Sequence, residues 1–249
     1  MNSHNQKMKT EFYPNPTLDL IQDIECWLEQ ENGTNQVGLF VELKSIHESF
    51  MSQQILTITA DDQVVGFLTY SINGLIAKIH IAWVKEANRG KGIGREFAKK
   101  CLDFFVGRGV MIAELYCSPE HSKFFWEKVG FKYFPEGVVN SSHTHMYQIL
   151  VSTAGFCDKK SSNETIELWN KPDYLVNKHR PQWKWDVVRK EESNVLEFPI
   201  IQPAHDEWLV AWRKGSRAHK RIKKNFVIGM YPPPNFLIIR ELGHFDEWG

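Results

Sequence analysis

Residues 83–94 read WVKEANRGKGIG. An apolar strand end passes through a polar turn into glycines at alternate positions, Gly90, Gly92 and Gly94, and a helical pattern follows at once. Glycine packs nothing and loses the most conformational freedom on folding, so this alternation weakens a fold unless the bare backbone has a task. A strand running into such a loop and then into a helix gathers backbone N–H groups and a positive helix end around one point, which suits a phosphate or diphosphate. The spacing matches neither GxxxxGK[ST] nor GxGxxG, so the P-loop and the dinucleotide fingerprint are both excluded. A tight strand-to-helix turn needing small residues is the alternative that these residues alone leave open.

The flanking sequence alternates helix and strand patterns. Leu18, Leu20, Ile21, Ile24, Trp27 and Leu28 recur near the helical period, so 17–33 is expected to be an amphipathic helix stopped by Gly33. Residues 54–72 read as two strands joined by a turn at Asp61 and Asp62, and 75–84 as a third, an antiparallel meander. Beyond the glycines, 95–109 has a helical pattern, 110–118 is a strand, 121–131 a short helix capped near Gly130, and 144–151 a closing strand.

With 249 residues, 42% hydrophobic and 13% aromatic, the chain can build a real core. Thirty basic residues balance thirty acidic ones, so no global field draws it to nucleic acid or membrane. Cys26, Cys101, Cys117 and Cys157 lie far apart with no CxxC pair, which fits reduced thiols in a cytosol. No apolar run approaches the roughly 18 residues of a membrane span, so a soluble, cytoplasmic protein is expected. Near residue 152 the composition shifts. Residues 152–165 are polar and weakly patterned, a linker, and after them tryptophans crowd in at 169, 183, 185, 208, 212 and 248. The runs NVLEFPII, EWLVAWR, NFVIGMY and NFLIIREL, broken by prolines, suggest a β-rich unit. The expected organisation is a first domain over 1–151, a linker over 152–165 and a smaller, tryptophan-rich β domain of unrecognised type over 166–249.

VKEANRGKGIG, followed by a helix, a strand and FFWEKVGF, resembles the GCN5-related N-acetyltransferases, whose pattern [QR]xxGx[GA] falls on Arg89, Gly92 and Gly94. The resemblance covers roughly residues 10–150. It implies a mixed α/β (α+β) fold, a mostly antiparallel central sheet flanked by helices, and acetyl-coenzyme A as cosubstrate. Its diphosphate would rest on the N–H groups of Arg89, Gly90, Lys91, Gly92, Ile93, Gly94 and Arg95. Its pantetheine arm would follow Ala82, Trp83 and Val84, where strands diverge, with Ser118 as a further contact. The implied activity is transfer of the acetyl group to a primary amine by direct attack, which requires a base for the amine proton and help for the leaving thiolate.

His80 stands four residues before Val84, where such enzymes often carry a base, and an imidazole with a pKa near 6.5 suits that task. Strand alternation would put Ile79, Ile81 and Trp83 on one face and His80, Ala82 and Val84 on the other. A histidine merely packed in the sheet is the competing reading. Where the family commonly reads FYEKLGF this chain reads FWEKVGF, so Trp126 replaces the usual tyrosine acid; its indole can donate to a thiolate but cannot protonate it. Tyr116 and Tyr133 are possible substitute acids or simply core or rim aromatics.

His143 and His145 share a strand face without a legible third ligand, and no metal site is expected. The run 213–224 holds Arg213, Lys214, Arg217, Lys220, Arg221, Lys223 and Lys224 and no acid, so it is a solvated hairpin or a contact for RNA or an acidic partner. Besides the N-acetyltransferase, two functions therefore stay open: a coenzyme A-binding regulatory protein with weakened turnover, and an RNA- or ribosome-associated acetyltransferase. An oligomer is allowed, no membrane partner is expected, and the acceptor is not legible.

Overall fold

The computed structural model describes residues 9–34, 42–157, 163–171, 173–176, 180–191, 193–215, 217–224 and 235–243, with the backbone alone for 32–34, 173 and 217–222. Two compact units emerge. The first comprises the chain up to Tyr133 together with His143–Leu150, and the second comprises Phe134–Ser142 and the chain from Val151 onward. A single cut at 151 therefore misses a nine-residue segment, 134–142, whose Val138 packs in the second unit's core.

In the first unit β1 (Thr10–Tyr13) precedes α1 (Leu18–Thr34), α2 (Leu43–Met51), β2 (Ile55–Ala60), β3 (Gln63–Asn73) and β4 (Ile76–Val84). Then come α3 (Ile93–Gly107), β5 (Ile112–Tyr116), α4 (Lys123–Val129), β6 (Lys132–Tyr133) and β7 (His145–Ile149). The strands form one seven-stranded sheet in the order β1-β2-β3-β4-β5-β7-β6, antiparallel everywhere except between β4 and β5. Asp61 and Asp62, both at positive φ, make the two-residue turn between β2 and β3, as the primed hairpin turns require. Ile93, Phe97, Cys101 and Phe105 of α3 pack with Trp126 of α4 on one sheet face, while Ile21, Ile24, Trp27 and Leu28 of α1 and Ile46 of α2 cover part of the other. β1 and α2 are absent from the sequence reading. Each is short, and α2 buries only Ile46, so neither carries a long periodic signal.

The second unit contains β8 (Glu164–Trp169), α5 (Asp173–Val176), β9 (Trp183–Asp186), β10 (Val195–Pro203), β11 (Leu209–Lys214), β12 (Arg217–Lys223) and β13 (Phe236–Glu241). They form a four-stranded sheet, β12-β11-β8-β9, and a two-stranded one, β10-β13. Trp185, Trp208 and Trp212 pack in its core, and Trp183 stacks on Trp208 with ring centroids 5.4 Å apart. β8 begins two residues before 166, and the run NFVIGMY (225–231) lies outside the described residues. No helix among the described residues is long and apolar enough to cross a membrane.

Candidate active site

β4 and β5 pair in parallel only from Ile76↔Ile112 to Ile79↔Leu115. β4 continues to Val84 while β5 ends at Tyr116, so the sheet forks above Ile79 and Leu115. Lys85 N–H bonds Val65 O of β3, and Ile81 N–H bonds Thr69 Oγ1. Odd-numbered residues there aim at β3, so the amides of Ala82 and Val84 aim at the edge that β5 has left. These are the unpaired backbone groups an extended amide chain can join. Arg89 already uses one of them, donating from Nε to Val84 O at 2.9 Å while its guanidinium lies 4.5 Å over the Trp83 ring. Glu31 of α1 fixes the same corner, accepting from Trp83 Nε1 at 3.2 Å and from Glu86 N–H at 3.1 Å.

The glycine loop follows. Gly90 and Gly92 adopt φ of +76° and +86°, a region open to glycine, and a Cβ at either would meet nothing within 4 Å. Gly92 caps the N-terminus of α3, with Arg95 and Glu96 N–H both turned back to its carbonyl. The N–H groups of Ile93 and Gly94 are then first-turn donors with no carbonyl inside the helix. Ile93 is buried in the core and anchors the turn, whereas Arg89, Lys91 and Arg95 are exposed. Gly94 is different in kind: an added Cβ would sit 3.4 Å from Phe125 Cε2 and 3.6 Å from Val84 Cγ2, ordinary contact. An open backbone cradle with a positive helix end beside an open strand edge fits a diphosphate on a thioester-bearing arm.

His80 lies at a β-bulge. Thr69 pairs with Ile81 and Tyr70 with Ile79, leaving His80 without an opposite residue on β3. A bulge adds one residue to a strand and resets its alternation. Ile79 accordingly packs in the core under α3, while Ile81 and Trp83 pack with α1 on the other face, and Val84 Cγ2 lies near Gly94. The alternation expected from the sequence, with Ile79, Ile81 and Trp83 on one face, fails for this reason. His80 is solvent-accessible, and its Nε2 sits 2.9 Å from Ser71 Oγ. Partial burial lowers its pKa, with the positive charge of Lys78 acting in the same direction.

The sheet face beneath the fork carries a polar row that the sequence reading missed. Tyr70, Ile79, Leu115 and Met146 point into the core under α3, so Ser71, Lys78, Glu114 and Tyr147 share the opposite face. They are register neighbours across β3, β4, β5 and β7: Ser71↔Lys78, Lys78↔Glu114, Glu114↔Tyr147. Burial pushes the Glu114 carboxyl up and Lys78 opposes this. Burial, helped by Lys78 and His143, likewise pulls His145 down. Tyr116, 40% exposed at the fork, packs its ring against His143 and His145. A glutamate inside the otherwise apolar strand IAELY was the available signal.

Trp126 is 7% exposed, wedged edge-on between Phe125 and Phe131 in the core. Ser118 is exposed just beyond β5. Tyr133 donates to Glu127 at 2.7 Å, which raises its pKa to about 12, too high for an acid near neutrality. In the basic run, Arg213 pairs with Glu167, Lys223 with Glu207 and the fully buried Lys224 with Asp206. Lys224 is therefore structural and not part of a basic surface. The side chains of Arg217, Lys220 and Arg221 lie outside the described residues. Among the described residues no group of three or more His, Cys, Asp or Glu could hold a metal.

The model of the acetyltransferase (GNAT) family matches residues 11–131. Among solved structures, the PaiA N-acetyltransferase of Thermoplasma acidophilum in complex with coenzyme A is 17% identical at a TM-score of 0.45, over 57% of this chain and 99% of that one. The ribosomal-protein-S18-alanine N-acetyltransferase of Escherichia coli is 15% identical at 0.47, over 59% and 97%. Among curated proteins none matches. Residues 11–131, which the acetyltransferase (GNAT) family model matches, hold the fork, the glycine cradle and the bulged His80.

Proposed function

We propose that the protein is an acetyl-coenzyme A-dependent N-acetyltransferase acting on a primary amine. The observation that carries this reading is the fork above Ile79 and Leu115, whose open-edge amides at Ala82 and Val84 lead to the bare N-terminus of α3. Ala82, Trp83 and Val84 hold the pantetheine arm, the backbone from Arg89 to Arg95 holds the diphosphate, and Ser118 flanks the opening. Bound there, acetyl-coenzyme A supplies a thioester carbonyl to a site that collects its donors around it. His80 accepts the first proton of the acceptor ammonium; the new C–N bond then forms as the C–S bond breaks, sulfur leaves as thiolate, and the second proton shed by the nitrogen passes to that thiolate to give free coenzyme A. Glu114, a carboxyl with a raised pKa on the same face, is a second proton acceptor within this reading. The lowered pKa of His80 keeps it neutral, and so able to accept, at physiological pH.

Burial of Trp126 among Phe125 and Phe131 favours a second reading, a coenzyme A-binding protein with weak turnover, because no tyrosine hydroxyl stands at that position. The two readings separate in one experiment. Calorimetry with acetyl-coenzyme A is expected to show saturation, and thiol release with an amine panel is expected to show turnover. Saturation without turnover supports the regulatory reading, and absence of saturation at millimolar concentration overturns both. An RNA-associated transferase rests on the backbone position of β12 at a sheet edge, with Lys224 removed from the candidate surface.

A further inference from the structure

We propose that Lys78 selects the acceptor by holding a carboxylate that the acceptor carries within a few ångströms of its reacting amine, so that the preferred substrate is an amino acid. This rests on the acetyltransferase reading. Lys78 occupies the centre of the polar row, between Ser71 on β3 and Glu114 on β5, on the face opposite the α3 core. It stands one row below the fork. Two residues of a strand span about 6.6 Å, so its ammonium works within reach of the ground beside His80. Its charge is felt by His80, Glu114 and His145 alike.

Among the described residues no carboxylate lies within ion-pair distance of Lys78, although Glu114 is its direct neighbour in register. Burial disfavours the charged form of Glu114 while Lys78 acts in the other direction, and the two side chains make no ion pair. Burial holds His80 and His145 toward neutrality as well. The face where an amine must approach His80 therefore offers a half-buried lysine that makes no ion pair among the described residues. Such a floor repels a second positive charge and attracts a negative one. Polyamines and lysine-rich segments are disfavoured; an acceptor bringing its own carboxylate supplies the missing partner.

The test uses the full chain, saturating acetyl-coenzyme A and matched acceptors: glycine with glycinamide, β-alanine with β-alaninamide, and spermidine. The expected result is a kcat/KM for the acids at least about tenfold above their amides and above spermidine. In Lys78→Met the acid-to-amide ratio falls toward one, and in Lys78→Arg most of the preference returns, which a purely structural role would not produce. Amides or spermidine reacting as well as the acids, no turnover of any carboxylate-bearing acceptor, or an undiminished preference in Lys78→Met overturns the inference. Failure of acetyl-coenzyme A itself to saturate the protein in calorimetry strikes the donor site instead.

Discussion

A single methyl group placed at two neighbouring glycines should give opposite results. Gly92 has φ of +86° and ψ of −12° at the cap of α3, where an added Cβ meets nothing within 4 Å. Its substitution by alanine is opposed by the backbone alone, since an L-residue in that region costs about 1–2 kcal/mol. Gly94 lies inside the helix, and its Cβ would make ordinary contact with Phe125 and Val84. Alanine there gains about 0.5–1 kcal/mol of helix propensity over glycine. At about 2–4 °C per kcal/mol for a domain of this size, Gly92→Ala should lower Tm by about 2–8 °C, while Gly94→Ala should leave it unchanged or raise it by a few degrees. Thermal and urea unfolding measure both. Calorimetry of the folded variants then adds the functional half: if the left-handed turn aims the N–H groups at the diphosphate, Gly92→Ala binds acetyl-coenzyme A at least about tenfold more weakly, or about 1.4 kcal/mol. Equal stability changes in the two variants, or full coenzyme affinity in Gly92→Ala, would refute the placement of the cradle.

His80→Ala should lower kcat at least about tenfold while nearly preserving coenzyme affinity, and unchanged turnover removes the imidazole from the mechanism. The acid limb of kcat/KM should fall below the ordinary histidine value of about 6.5, because burial and then Lys78 disfavour the imidazolium. For stability the sign is the same: the unfolded chain binds the His80 proton more readily, so the contribution is full above about 6.5 and is lost as pH falls through the lower folded pKa. Glu114 has the opposite sign. Its folded pKa is raised, so its ionisation opposes folding as pH rises, and Glu114→Gln should stabilise the protein at pH 7 with the difference shrinking by pH 4. Denaturant midpoints at the two pH values decide it. Trp126→Ala should cost about 3–5 kcal/mol as a core truncation; a loss below about 1 kcal/mol in urea unfolding would contradict its placement in the core.

The glycine loop, the meander and the helix ending at Gly130 were legible because each is written locally. Gly92 and Gly94 mark the turn, Asp61–Asp62 marks the hairpin, and α1 and α3 repeat their apolar residues over several turns. What local pattern could not carry was any feature defined by a second strand. The segment 134–142 interrupts the first unit between β6 and β7 yet packs Val138 with Ile166 and Trp185, contacts at sequence distances no window spans. Similarly, the run 213–224 contains no acid of its own, but Arg213, Lys223 and Lys224 pair with Glu167, Glu207 and Asp206 from elsewhere in the chain, so three of its seven basic residues become ion pairs in space.

The bulge at His80 shows what such distant information does to a site. Perfect alternation from Ile79 to Val84 would keep Ile79 and Trp83 on one face; the register on β3 inserts one extra residue and divides them between the two cores. The insertion has two local consequences. It leaves His80 opposite no residue of β3, with Ser71 Oγ at its Nε2, and it turns the amides of Ala82 and Val84 to the edge that β5 has abandoned. One irregularity thus sets both the proposed proton acceptor, His80, and the proposed arm-binding amides of Ala82 and Val84. The positions of His80, Ala82 and Val84 are coupled through backbone, so a change restoring regular β3–β4 pairing should damage donor binding and proton transfer together.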